Sequence, residues 1–206
     1  MKRYFLPILS IMYILTFTAC TGKSLDNTEE FSDLELAEWG ELNQMVYSDL
    51  EHLEKDSDII VVGTFKEDSE QKEVFQYDSH FEKEVLSTVI STNYIEVSKV
   101  IKGSVNVGDA IPVTQDYGIV DNQLVTTSRL TPMLKGDTWI FFLSENTSEL
   151  RAGKFRCTGD NDGRYPLENF TYRRIALTDN EDLGVYDSQD FREDIYNEIL
   201  EKYNFD

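Results

Sequence analysis

The side chains in this sequence that could do chemistry are mostly carboxylates: 39 Asp+Glu in 206 residues, against 19 Lys+Arg, two His and two Cys. The common catalytic patterns are missing. There is no His-Glu-x-x-His, no Gly-x-Ser-x-Gly, and no Gly-rich phosphate loop ending in Lys-Ser/Thr. His52 and His80 each stand alone among charged residues, as solvated or capping histidines do. A carboxylate pair for general acid and base work could be assembled by folding, but spacing along the chain does not give the separation that such chemistry needs. Asp160-Asn161-Asp162-Gly163 is the best metal candidate. Asp160, Asp162 and Gly163 match the third, fifth and sixth places of a calcium loop. The first and twelfth places fall on Thr158 and Asn169, where Asp and a bidentate Glu are wanted. A plain Asx-Gly turn explains the same residues, so the sequence assigns no metal and no cofactor. Tyr117, Tyr165, Phe170 and Tyr172 could line a ligand face, or pack in a core and its rim.

The elements that would position these groups begin with an export segment. Lys2 and Arg3 precede an uncharged, mostly apolar run from Tyr4 to Ala19, shorter than the roughly 20 residues of a spanning helix and suited to a signal peptide. Phe17-Thr18-Ala19-Cys20 closes that run, and a polar, acidic stretch over residues 20–30 reads as a flexible tether. From residue 31 to 206 the pattern reads as one domain. A helical lead-in over 31–57 contains a Ser48-x-x-Glu51 capping box. Strands follow between about 58 and 177, and a helix over 188–203 carries Phe191, Ile195, Ile199 and Leu200 on one face. Ile59–Phe65 reads as a strand buried on both faces or bent at Gly63; Lys66–Glu84 reads as a long charged loop. Val89–Ile101, Ala110–Thr114, Leu124–Ser128, Thr138–Leu143, Lys154–Thr158, Tyr165–Leu167 and Arg173–Leu177 are the further candidates, with turns at Gly103, Gly108 and Gly136. The fold expected is mainly β (α+β), a small OB-like barrel of five to six strands with an N-terminal helical segment and a C-terminal helix.

Two resemblances add to this. Phe17-Thr18-Ala19-Cys20 resembles the lipobox of bacterial lipoproteins, with Phe17 in place of the usual Leu. That resemblance implies a diacylglyceryl group on Cys20 and cleavage before it; the alternative is an ordinary signal or uncleaved anchor with Cys20 an incidental thiol. With Cys20 a thioether, Cys157 is left as a lone thiol, whereas without lipidation a Cys20–Cys157 disulfide is open in an exported compartment. Asp58–Gly63, Tyr94–Gly103 and Leu134–Leu143 resemble strands of the netrin-like domain, the OB-type barrel of the tissue inhibitors of metalloproteinases, and uncharacterised lipoproteins of Gram-positive bacteria are similar over this span. Inhibition does not carry over. It needs an amino-terminal cysteine locked against the barrel, and Cys20 lies far ahead of the first strand.

The formal charge of −20 argues against nucleic acid, whose phosphates need a basic face. The function expected is a binding or interaction module, anchored on the extracytoplasmic face of the membrane by lipid and meeting an extracytoplasmic protein. An acid-using hydrolase and a structural envelope component are the alternatives.

Overall fold

The computed structural model describes residues 34–38, 47–126, 135–136, 138–159, 163–167 and 193–205. Its elements in chain order are β1 (Glu35–Glu38), α1 (Leu50–Asp56), β2 (Ile59–Asp78), β3 (Lys83–Lys102), β4 (Ala110–Gln115), β5 (Tyr117–Val120), β6 (Gln123–Thr126), β7 (Thr138–Glu145), β8 (Phe155–Cys157), β9 (Arg164–Pro166) and α2 (Glu193–Tyr203). The hydrogen-bonded order β2-β3-β4-β8-β7 returns to β2, which closes a five-stranded barrel; β9 extends the edge of β7 beside β8. The chain is thus mainly β, with an OB-like barrel and two helices, as expected. A second, three-stranded sheet, β1-β6-β5, stands beside it.

The apolar runs of β2 and β7 follow from a barrel that is covered outside as well as filled inside. Alternation sends Ile59, Val61, Phe141 and Leu143 inward to join Ile95, Val97, Ile111, Val113 and Cys157. The intervening Ile60, Val62, Ile140 and Phe142 face outward and are buried under Leu50 and Leu53 of α1 and Ile195 and Ile199 of α2. Both faces of these apolar runs are therefore dry, and no polar alternation is possible there. Three hydroxyls fasten α1 to the barrel: Ser57 Oγ donates to Leu53 O at 2.7 Å, Ser144 Oγ donates to Asp56 O at 3.0 Å, and Thr158 Oγ1 lies within hydrogen-bond reach of both serines.

Four details differ from the sequence reading. Glu35–Glu38, inside the expected helical lead-in, is a strand pairing in parallel with β6. Its residues are helix formers, and the free edge of β6 overrides that preference. The cap of α1 is Asp49, one residue later than the capping box suggested, with its carboxylate accepting from His52 N at 2.9 Å. Tyr117–Val120 is a strand that was not expected; it pairs with β6 through a turn in which Asp121 and Asn122 both have positive φ. Most consequential is Lys66–Glu84, read as a loop, which is the outer half of a hairpin 20 residues to a strand.

Pro112 lies opposite Tyr94, on the part of β4 that β8 has not yet joined, as an edge proline should. Arg173–Leu177 and the first turns of the expected C-terminal helix, with Ser188 and Phe191, lie outside the described residues.

Candidate interaction surface

The β2/β3 hairpin leaves the barrel. β7 pairs with β2 only over Ile59–Thr64, and β4 pairs with β3 only over Ser91–Glu96. Beyond those limits the two strands pair with each other alone among the described residues, from Lys72↔Ile90 to Asp78↔Lys83. At about 3.4 Å per residue this is an arm roughly 25 Å long. Its tip is a tight turn in which Asp78 Oδ1 accepts from His80 N at 2.7 Å and from Phe81 N at 3.2 Å, with Glu82 at φ 50°. A register shift between Val74 and Phe75 sets an extra residue in β3 and strengthens the local twist.

The base of the arm is clamped. Gln71 donates from Nε2 to Ile119 O at 2.8 Å and accepts from Ile119 N at 2.7 Å, completing the backbone edge of β5 like an added strand. Ser91 Oγ donates to Tyr117 O at 2.8 Å. Gly118 is needed here for close approach, because a Cβ would lie 2.7 Å from Gln71 Oε1 and inside van der Waals contact with Val89 Cγ1. Lys154 Nζ donates to Thr92 Oγ1 at 2.8 Å and pairs with Glu70 at 3.3 Å. Arg151 pairs with Asp116, to which Thr88 Oγ1 donates at 3.4 Å. Behind the clamp, Tyr117 Oη donates to Asn93 Oδ1 at 3.2 Å, and Asn93 Nδ2 donates to Gln115 Oε1 at 2.8 Å. All three side chains are buried, so this end of the barrel interior is held by a hydrogen-bonded chain where the other end is apolar.

Outboard of the clamp the arm exposes large rings. Phe75 is 52 % exposed, Tyr77 67 % and Phe81 63 %. Phe75 and Tyr77 are two apart on one strand and share a face. His80 lies edge-on to Phe81 with ring centroids 5.0 Å apart.

A shallow groove of about 500 Å³ lies between α1, α2 and the barrel. Three of its charged residues, Glu54, Lys102 and Lys202, serve the helix joint. Lys102 Nζ donates to Glu54 O at 2.7 Å and to Ser57 O, capping the end of α1. Lys202 Nζ donates to Glu54 Oε2 at 2.6 Å, and Tyr203 Oη donates to Glu54 Oε1. Burial, then the Glu54 hydrogen bond and charge, push the Tyr203 hydroxyl well above the ordinary tyrosine range. At the start of α1 the Asp49 carboxyl is drawn down to about 2 by the His52 backbone N–H, the Ser48 hydroxyl and the His52 ring.

Among the described residues, those singled out from the sequence do not converge on one site. Tyr117 and Tyr165 are buried at 2 % exposure and pack as core residues. Phe170 and Tyr172 lie outside the described residues, as do Cys20, Asp160 and Asp162. Thr158, the first place of the calcium pattern, is buried against Ser57 and Ser144, and a Cβ on Gly163 would lie within 2.6 Å of Thr158 N. Those two residues thus have structural reasons to be what they are. Among the described residues no group of three His, Cys, Asp or Glu is placed to hold a metal ion, and no helix is long and apolar enough to cross a membrane. Cys157 sits in the barrel core, His52 caps α1 with Asp49, and His80 is at the arm tip. What sequence reasoning missed is the arm; its signal was Phe75 and Tyr77 at strand spacing within the charged stretch.

No family model and no curated protein matches the chain.

Proposed function

We propose that this protein is a lipoprotein held on the extracytoplasmic face of the membrane through Cys20, and that its barrel is an interaction module presenting the β2/β3 arm to a protein partner. The observation that carries the reading is the exposure of Phe75, Tyr77 and Phe81 on an arm clamped at its base. A free two-stranded ribbon gains little from its own contacts. A partner covering an exposed ring contributes about 1.5–3 kcal/mol for each one it buries fully. The clamp fixes where the rings stand, so less ordering cost falls on binding. The lipobox-like end and the polar stretch over residues 20–30 support a tethered barrel with its arm free to reach. The netrin-like relationship is part of this reading and rests on the sequence resemblance of Asp58–Gly63, Tyr94–Gly103 and Leu134–Leu143.

The test places a photo-crosslinking amino acid at Tyr77, and separately at the exposed Arg156 on β8, in cells making the full chain or its Cys20→Ser variant. One discrete adduct from Tyr77 in the Cys20 chain, absent from Arg156 and lost in Cys20→Ser, is the expected result. Equal labelling from both positions, or none from Tyr77, overturns the reading.

A further inference from the structure

We infer that the arm takes a cationic polypeptide segment on the face that carries Phe75 and Tyr77. The inference rests on the interaction reading above and adds the chemistry of the partner. Strand register sorts the charges of the arm by face. Glu73, Phe75 and Tyr77 alternate onto one face, and the partners across from the two rings, Leu86 and Glu84, share it. Glu73 and Glu84 are exposed like the rings, and no Lys or Arg stands on this face from Gln71 outward. Lys72, Asp78 and Lys83 fall on the opposite face, where Asp78 is directly across from Lys83. One face of the hairpin therefore carries two lysines and one carboxylate, while the other is acidic and aromatic.

Rings interleaved with carboxylates suit an ammonium or guanidinium group. The ring face attracts the cation, and the carboxylate accepts its charge-assisted hydrogen bonds. An extended partner would repeat its side chains with the period that separates Phe75 from Tyr77, so alternate Lys or Arg residues would meet successive rings. The arm already makes one such contact within itself, with Lys83 Nζ 5.9 Å from the Phe81 ring centre. A second copy of a chain at −20, or an anionic bilayer, would instead bring like charges together.

The experiment uses the full chain in dodecyl maltoside micelles and a fluorescein-labelled deca-lysine peptide, read by anisotropy at 50 and 300 mM NaCl, with deca-glutamine as the neutral control. Glu73→Gln/Glu84→Gln and Phe75→Ser/Tyr77→Ser are each expected to weaken deca-lysine binding at least fivefold. The remote exposed pair Glu145→Gln/Glu149→Gln should change it less than twofold. Equal losses in the remote and arm variants, or no binding above deca-glutamine, overturn the inference; far-UV circular dichroism confirms that each variant is folded. The Tyr77 adduct separates this failure from that of the parent reading. A captured segment without Lys or Arg, a second copy or a lipid refutes the cationic partner, whereas an absence of any adduct refutes the arm as an interaction surface.

Discussion

If the arm is stiff because β5 grips its base, Gly118→Ala should loosen it. The added methyl would stand 2.7 Å from Gln71 Oε1 and overlap Val89 Cγ1, where carbon atoms prefer about 3.5–4.0 Å. Val89 is 2 % exposed and cannot swing into solvent, so either its rotamer is forced or β5 retreats from the arm. Overpacking of this kind costs about 1–3 kcal/mol. Replacing glycine restricts the unfolded chain, which returns about 0.4–1 kcal/mol, since Gly118 is not held in the left-handed region. The expected net loss is about 1–2 kcal/mol in urea unfolding followed through tryptophan fluorescence. Hydrogen exchange should quicken chiefly at Gly118–Val125, because Gln71 must release Ile119 as β5 moves. Val89→Ala removes the clashing methyl, so the double variant should be more stable than the two single losses predict, by about 0.5–1 kcal/mol. A Gly118→Ala protein within about 0.3 kcal/mol of wild type, with additive behaviour alongside Val89→Ala, would refute the close approach. The arm would then not be pre-set by its base.

Leu53→Ala removes a fully buried side chain from the layer between α1 and the barrel and should cost about 2–5 kcal/mol, measured as a lower urea midpoint with an unchanged slope. Lys102→Met keeps the aliphatic stem but loses the two carbonyl contacts at the end of α1; a loss of about 0.5–1 kcal/mol, with faster exchange confined to α1, is expected. Carbon-detected NMR should place the Asp49 carboxyl inflection near 2, and a value near 3.8 would contradict the cap. Its folded pKa is depressed, so its support of α1 is complete above about 3.8 and is lost as pH falls through about 2. Tyr203 runs the other way. Its folded pKa is raised, so its contribution is complete below 10 and lost as pH rises beyond it; absorbance at 295 nm should show late ionisation, only partly relieved in Glu54→Gln because burial is the larger cause.

How far the fold could be read from the sequence depends on how much of each strand is covered. Ile59–Phe65 and Thr138–Leu143 stood out because the barrel core lies on one side of them and the two helices on the other, leaving apolar runs with no ambiguity of face. The arm hid for the opposite reason. From Lys72 to Asp78 neither face is dry, so nothing selects an alternating apolar pattern, and Glu73, Gln76 and Asp78 read as solvated loop. Cross-strand hydrogen bonds hold those residues in β structure, and backbone bonding leaves no mark on side-chain composition. β1 failed differently, since its pairing with β6 spans some 90 residues and local preference carries no information about such a partner. A solvated strand that nevertheless keeps Phe75 and Tyr77 on one face bears large apolar surface that the barrel does not need for its own core. The residues that made Lys66–Glu84 look like a loop and those that make it a candidate surface are thus the same. Its charges are satisfied by water, and its rings are the part left for another molecule to cover.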